Sequence, residues 1–480
     1  MKTAVVILNW NTEGFLREFL PGLIHSIAKV EGAEVIVADN ASTDGSLEVM
    51  RKEFPQVRTL QFERNFGFTG GYNKAFSQID SDYFVLINSD IEVTEDWLQP
   101  LVDWMGHHPE CGACAPKLHS WQERTMFEYA GAAGGYLDRF GYPFCRGRVL
   151  KRLEKDNGQY DFPADVLWAT GACLMVRSTA YRQLGGLDER FFAHMEEIDL
   201  CWRLQLEGYK VTVVPESVVY HVGGGTLPAT SPFKLFLNYR NNLLMLENNL
   251  AKTLALKNLK RGMHAADAAA QGLRQARWRI FQRKCLDWLS AGIYLVTLNT
   301  GSFKAVGKAY REYRQLRSVA DIKDIRTYLK VHGQDAGVSG IYRKWIVLSS
   351  MLNGKEVFTS IDDIFDTHIY IPSILDIWTH DMSISTAIIC VRHTVIDDAI
   401  LTSLNTSCSC HKHTHRTLFN TLINLFIIYR VKFAKMKYSC CQNTASCQIR
   451  ALSVFFCQRI DLRIIFYPCN MAACMPVQKE

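Results

Sequence analysis

The sequence predicts an α/β protein with a mostly parallel central sheet, followed by a basic helical region. Three observations carry this. Apolar β-rich runs alternate with helical patterns from residue 1 to about 230, each run ends on polar residues, and from residue 232 the pattern turns helical and cationic.

The first run, "TAVVILNW", reads as a strand. A helical pattern follows in "GFLREFLPGLIHSIAKV", then the strand "EVIVAD", a helix through "GSLEVMRKEF", the strand "VRTLQF" and the strand "YFVLI". Alternation at this spacing predicts parallel strands joined by crossover helices. The strands hand over in turn to Asn9 to Asn11, to "DNASTDGS", to "ERNFGFTGG" and to "NSD". In open α/β sheets ligands sit outside the carboxyl ends of the strands, so four such loops on one edge outline a site.

Composition bounds the rest. With 480 residues, 48% hydrophobic and 21% charged, the chain can bury a sizeable core, and a net charge of +6 is too modest to argue for nucleic acid. The start "MKTAVVILNWN" offers no small-residue cleavage site and reads as a strand rather than a signal peptide. No uncharged apolar stretch reaches the roughly 18 to 20 residues needed to span a bilayer. The expectation is a cytoplasmic protein, in peripheral contact with the inner face of the cytoplasmic membrane if the helical region binds there. Only six of the fifteen cysteines precede residue 360, including a lone "CGAC" at Cys111 to Cys114, and they are expected to be reduced thiols.

Three segments are expected: an α/β domain over residues 1–231, a helical region over 232–354 and an anomalous tail over 355–480. Between Lys252 and Lys284 stand nine Lys or Arg and one acid, Asp267. Two readings stay open: a solvated face, or a helix on an anionic membrane surface anchored by Trp278, Phe281 and Trp288. In the tail, no glycine follows Gly354, although the chain has 31, while nine of the fifteen cysteines and six of the fourteen histidines crowd there. Folded domains need glycine where φ must be positive, so the tail is expected to be disordered or out of frame. Its cluster "CSCHKHTH", Cys408 to His415, has no distant ligand pair at zinc-like spacing.

Several polar residues suit a phosphorylated ligand. Asp39, at the end of "EVIVAD", could accept from a ribose or a base, and Asp44 could cap the next helix. The glycines of "RNFGFTGGYN" would let backbone approach a nucleotide, with Arg64 or Asn65 in contact; a plain turn is the alternative. Asp90, at the open end of "YFVLINSD", could hold Mg²⁺ or Mn²⁺ together with substrate phosphate. His221, between "VVY" and three glycines, would add a nitrogen that suits Mn²⁺. Glu196, Glu197 and Asp199 open an amphipathic helix in "MEEIDLCWRL", where simple capping competes with a general base.

Together, "VVILNWN", "VADNASTDGS", "RNFGFTGGYN", "LINSD", "WATGACLMVRSTAYRQLGGLDERFF", "EEIDLCWR" and "YHVGGG" resemble the glycosyltransferase family 2 enzymes, particularly the bacterial rhamnosyltransferase-like branch, over about residues 1 to 250. The resemblance implies a GT-A fold, a nucleotide-sugar donor (dTDP-, UDP- or GDP-linked), a divalent cation (Mg or Mn) and an inverting displacement onto a glycan or lipid-linked acceptor. It places Asn9, Asp39, Asn40, Arg64, Asn65, Gly71, Asn88 and Ser89 on the donor side, and Asp90 and His221 at the metal. Trp168, Thr170, Gly171 and Glu196 fall on the acceptor side, with Glu197 as base and Asp199 beside it. Asn88 stands where the family's DxD motif has its first Asp, and Glu197 is one methylene longer than the usual Asp. A non-catalytic nucleotide-sugar or glycan-binding module on the same fold is the alternative that Asn88 raises. A Rossmann-type reductase would need a glycine-rich turn after the first strand, which "LNWNTEGF" lacks.

Overall fold

In the computed structural model, which describes residues 1–223 and 231–360, strands and helices alternate through the first 87 residues. They run β1 (Thr3–Asn9), α1 (Glu13–Ile27), β2 (Ala33–Asp39), α2 (Ser46–Glu53), β3 (Arg58–Gln61), α3 (Gly67–Phe76) and β4 (Tyr83–Ile87). β1 pairs in parallel with β2 on one side and β4 on the other, and β2 pairs in parallel with β3. The chain therefore steps outward to β3 and returns across β1 to β4. That reversal opens a crevice at the carboxyl ends of β1 and β4. Register places Asn9 opposite Asp39 and Asp39 opposite Gln61, so the polar strand ends line up along it.

The strand runs are apolar without interruption because both faces are covered. Val5, Ile7, Val35, Val37, Val85 and Ile87 share one core with Leu16, Leu20 and Leu23 of α1. Their alternates Ala4, Val6, Ile36, Ala38, Phe84 and Leu86 share the other with Tyr72 and Phe76 of α3. Each buried Val or Leu contributes about 1.5–3 kcal/mol, so a carboxylate at fully buried Val85 would break the sheet at its centre. α3 lies unusually close to β1: a Cβ on Gly71 would stand 2.7 Å from both Leu8 methyls and 3.2 Å from Asn40 Nδ2.

The sheet continues through β5 (Ile91–Val93), α4 (Leu98–His107) and β6 (Cys111–Ser120). A run of short strands follows: β7 (Gly135–Asp138), β8 (Pro143–Cys145), β9 (Arg148–Val149), β10 (Arg152–Leu153) and β11 (Ala164–Asp165). Then come β12 (Cys173–Arg177), α5 (Ser178–Gln183), α6 (Glu196–Leu206) and β13 (Lys210–His221). The main sheet runs β11-β13-β6-β12-β4-β1-β2-β3, with β5 on β13. β12 is antiparallel to both β4 and β6, and β13 is parallel to β6, giving a mixed, mostly parallel sheet.

After residue 231 come α7 (Pro232–Leu259), α8 (Ala265–Val296), α9 (Thr300–Leu316), α10 (Ile322–His332), β14 (Ile341–Tyr342) and α11 (Ile346–Asn353). A second sheet, β10-β9-β8-β7-β14, takes its last strand from this region. Its strands are too short for an alternating pattern to betray them in sequence. α7 starts on a proline, which suits a helix's first turn, and buries Leu243, Leu244, Met245, Leu250 and Leu254 around most of its girth. Trp202 of α6 donates to Thr253 Oγ1 of α7 at 2.8 Å. α8 presses against α7 at Gly272, where a Cβ would meet Ala255 N at 2.5 Å. The outer side of α8 exposes Trp278, Phe281 and Trp288. All described residues fall in one compact unit. The expected tail beyond residue 360, with its "CSCHKHTH" cluster, lies outside the described residues. The six described cysteines are free thiols, five buried and Cys285 exposed.

Candidate active site

The residues expected on the donor side gather where β1 and β2 end. Asn9, fully buried, donates through Nδ2 to Asp39 Oδ2 at 2.8 Å and to Ser42 Oγ at 3.0 Å. Asp39 Oδ1 accepts from Ser42 N at 2.9 Å, which folds "DNAS" over the strand end. Asn40 links the next loop: its Nδ2 donates to Asn65 Oδ1 and to the Gly67 carbonyl, both at 3.0 Å, and its Oδ1 accepts from Phe66 N. Asn65 in turn accepts from Gly67 N at 2.7 Å. Asn40 and Asn65 thus shape the pocket wall. Arg64 is exposed and stacks 4.7 Å over Phe66, while Gly71 is required by the close packing of α3 on β1. Asp44 accepts from Ser46 N and from Glu13 N, both at 3.0 Å, pinning two helix starts together.

At the end of β4, Asn88 and Ser89 are half-buried and Asp90 is buried. Val222 N donates to the Asp90 carbonyl, so the end of β13 is tied beside the end of β4. That brings His221 Nε2 to 3.2 Å from Asp90 Oδ1. A residue the sequence did not single out completes the row: Glu128 Oε1 lies 3.3 Å from His221 Nδ1, though off the line of a hydrogen bond. Burial by itself would lower the His221 pKa, but Asp90 and Glu128 outweigh it and hold the imidazole up to about 10. Among the described residues no group of three or more His, Cys, Asp or Glu converges as a self-sufficient metal site.

Across the crevice stands the start of α6. The loop before it is strained: Phe192, His194 and Met195 have φ of 64°, 70° and 73°, a region few non-glycine residues enter. Helix α7 holds it there. Asn241 Nδ2 donates to the carbonyls of Phe191, Ala193 and His194 at 2.9, 2.7 and 2.7 Å, and Arg240 donates to those of Arg190 and Phe191. The Phe192 carbonyl accepts from Phe68 N and Thr69 N at the start of α3, joining the loop to the donor side. Gly67, at φ 72°, leaves room for the Phe192 ring, which a Cβ there would meet at 2.5 Å.

The carboxylates at the head of α6 divide by environment. Glu196 is 4% exposed and Glu197 is partly exposed; each has an Oε2 without a hydrogen-bond partner. Burial, opposed by backbone N–H groups at the helix start, pushes the Glu197 carboxyl up to about 7. Burial, and then the Glu197 charge, drives Glu196 well above the usual carboxylate range. The pair therefore retains one proton near neutrality, with Glu196 neutral and Glu197 poised to accept one. Asp199 is different. It is fully buried and accepts from Arg203 Nε at 2.7 Å, Asn248 Nδ2 at 2.9 Å and Asn249 Nδ2 at 2.7 Å. With its oxygens taken, Asp199 braces α6 against α7 and is not free to accept a substrate proton.

Of the residues expected on the acceptor side, Gly171 lies against Glu197, whose Cβ would be 3.4 Å from a Cβ built there. Thr170 Oγ1 accepts from Ala172 N, leading the chain into β12. Trp168 is 3% exposed, donates to the Tyr136 carbonyl at 3.1 Å and fills the space a Gly135 side chain would take. Trp168 is thus packed as a core tryptophan.

Residues 4–180 match the family described as Glycosyl transferase family 2. The N-acetylglucosaminyl-diphospho-decaprenol L-rhamnosyltransferase of Mycobacterium tuberculosis is 28% identical over 238 residues, 45% of this chain and 75% of that protein. The O-antigen biosynthesis protein RfbC of Myxococcus xanthus is 28% identical over 191 residues, 39% of this chain and 15% of that protein. The rhamnosyltransferase WbbL of Escherichia coli K12 is 22% identical over 222 residues, 45% of this chain and 82% of that protein. Residues 4–180 thus match glycosyl transferase family 2 and the chain is similar to rhamnosyltransferases; it is a glycosyltransferase with the GT-A fold.

Proposed function

We propose that this enzyme moves a sugar, with inversion at the anomeric carbon, from a nucleotide-diphosphate donor onto a lipid-linked glycan in cell-surface polysaccharide synthesis. Glu197 carries the reading: it is a partly exposed carboxylate with a raised pKa and an unpartnered oxygen, packed beside Gly171 of the segment expected on the acceptor side. There it would take the proton of the attacking hydroxyl. Rhamnose from dTDP-rhamnose is the favoured donor, because two of the relatives are named rhamnosyltransferases.

The donor would lie over β1 and β2, with its nucleoside at Asp39 and its diphosphate toward Asp90. Asp90 Oδ1 and His221 Nε2, 3.2 Å apart, would offer one oxygen and, once a cation displaces the imidazolium proton, one nitrogen. That pair suits a Mg²⁺ or Mn²⁺ whose remaining positions are filled by donor phosphate and water, with Mn²⁺ favoured by the imidazole. A bound cation would offset the charge of the departing diphosphate. Asn88 adds no charge to this set, and it is the sole feature that favours a non-catalytic binding module.

A lipid-linked acceptor would bring the enzyme to a membrane surface. Among the described residues no helix is long and apolar enough to cross a membrane. α8 instead exposes Trp278, Phe281 and Trp288 at 58%, 54% and 46%, spaced along one face with Cys285 between them. Exposed Arg274 and Arg277 on α8, and Lys304, Lys308 and Arg311 on α9, supply the charge that anionic headgroups attract.

The test is a transfer assay with dTDP-rhamnose and UDP- and GDP-sugars, Mn²⁺ and a prenyl-diphosphate-linked sugar, with NMR assignment of the product anomer. Transfer with inversion is expected. Folded protein that neither transfers nor hydrolyses any of these donors would overturn the reading.

A further inference from the structure

The small sheet carries a buried cation that the chemistry above does not use. In the β8–β9 hairpin "CRGR", Gly135 pairs with Cys145 and Cys145 pairs with Arg148. Direct partners across antiparallel strands point to one face, so Arg148, Cys145 and Gly135 stand in a row. The row ends at Trp168, whose indole covers Gly135 and whose segment leads through Thr170 and Gly171 to Glu197. Arg148 therefore shares a face with the acceptor-side segment.

Its surroundings are unusual for a guanidinium. Arg148 is 6% exposed, yet among the described residues no carboxylate lies within ion-pair distance of it. Its contacts are weak: Nη2 to Cys145 Sγ at 3.3 Å, Nη1 to the Pro143 carbonyl at 3.4 Å, and the Tyr129 ring 4.8 Å away; Nε has no partner. The site's carboxylates are nevertheless close by. The Cys145 thiol that Arg148 touches is pushed up by burial, then drawn down by Arg148 and raised by Glu128 and Glu197. Enclosing an unpaired cation is costly, and a rigid guanidinium fork matches a phosphate.

We propose that Arg148 is a subsite for a phosphate on the acceptor. The inference rests on the acceptor-side reading of residues 168–171 given above. The donor diphosphate is claimed by the Asp90 end of the crevice, whereas Arg148 belongs to the small sheet, past Glu128. Tyr129, next to Glu128 and over Arg148, is 55% exposed and offers a stacking surface at the same mouth. A phosphate ester could come from a prenyl diphosphate carrier or from a phosphodiester within a glycan.

Isothermal titration of the full chain tests this with the donor site saturated by dTDP and Mn²⁺. Geranyl diphosphate and methyl glucosyl phosphodiester are the two probes. The wild type is expected to bind at least one, which identifies the source of the phosphate. Arg148→Lys, which keeps the charge but loses the fork, should weaken that probe about 10-fold, and Arg148→Gln more. The Kd of dTDP with Mn²⁺ should stay unchanged in both variants, which also reports that they are folded. Three results overturn the proposal: neither probe binds the wild type, the variants bind it as tightly, or Arg148→Lys weakens dTDP instead. None of these readouts needs sugar transfer, so a failed subsite is distinguishable from a failed assignment of the reaction.

Discussion

Glu197 sets a pH threshold on turnover. Its carboxyl is raised from an ordinary 4.5 to about 7, chiefly by burial. At 1.36 kcal/mol per unit, charging it in the fold costs roughly 3 kcal/mol more than in water. With donor saturating, kcat/KM for the acceptor should rise with unit slope up to about pH 7 and then level, standing at about a tenth of the plateau at pH 6. Glu197→Gln keeps the shape and removes the base, so the plateau should fall by about 10² to 10⁴. Glu196→Gln is the control, since Gln imitates the neutral acid: less than about tenfold should be lost and the inflection should stay near 7. The stability sign follows from the same shifts. Both carboxyls are raised by folding, so their contribution is intact below the unfolded value of about 4.5 and is lost as pH rises above it, for Glu197 up to about 7 and for Glu196 up to its own raised value. Glu196→Gln should therefore raise the melting temperature at pH 8 and leave it nearly unchanged at pH 4. The assays are initial rates from pH 5 to 9 at constant ionic strength, together with thermal melts. A flat profile, an inflection near 4.5, or a Glu197→Gln enzyme within tenfold of wild type would refute the reasoning.

Three other outcomes are expected. His221→Ala and Asp90→Ala should weaken dTDP binding by about 10- to 100-fold in Mn²⁺, with no difference from wild type in EDTA; equal Kd values in Mn²⁺ would remove these residues from the cation site. Asp199→Asn strips a buried carboxylate from Arg203, Asn248 and Asn249, at a cost of about 3–5 kcal/mol, so the melting temperature should drop sharply while kcat per folded molecule changes little. An unaltered melt with abolished turnover would return Asp199 to the chemistry. Serine at Trp278, Phe281 and Trp288 together removes roughly 2 kcal/mol of apolar burial per ring, so flotation with anionic vesicles should be lost while transfer to a detergent-soluble acceptor is kept. Undiminished flotation would place the membrane contact elsewhere.

The parallel core was legible because each strand is a short apolar run closed by polar residues, a local pattern. Asp39, Asp90, Glu197 and His221 could be picked out for the same reason: each follows a strand or opens a helix. Glu128 could not. It sits in "FEYAGAA" with no pattern around it, and reaches His221 only because residues 126–128 return alongside the end of β6. The acids of "EEIDLCWR" were legible as a cluster, but not their division into an acid–base pair and a brace. That division depends on Asn248 and Asn249, some fifty residues later on a helix that reads as generic. The small sheet escaped for want of length, since two-residue strands carry no period.

The loop held by Asn241 makes the working enzyme larger than its family signature. Residues 4–180 match the family, but Glu197 follows directly on a turn whose left-handed residues cost about 1–3 kcal/mol each and are held from α7 by the Asn241 amide, with Arg240 beside it. A polypeptide stopped at residue 231 would retain every acid of the crevice and lose that amide, so the turn would relax and carry Glu197 out of register with the donor. Swapping donor specificity between relatives by exchanging sheet domains alone would then fail; the portable unit includes α7.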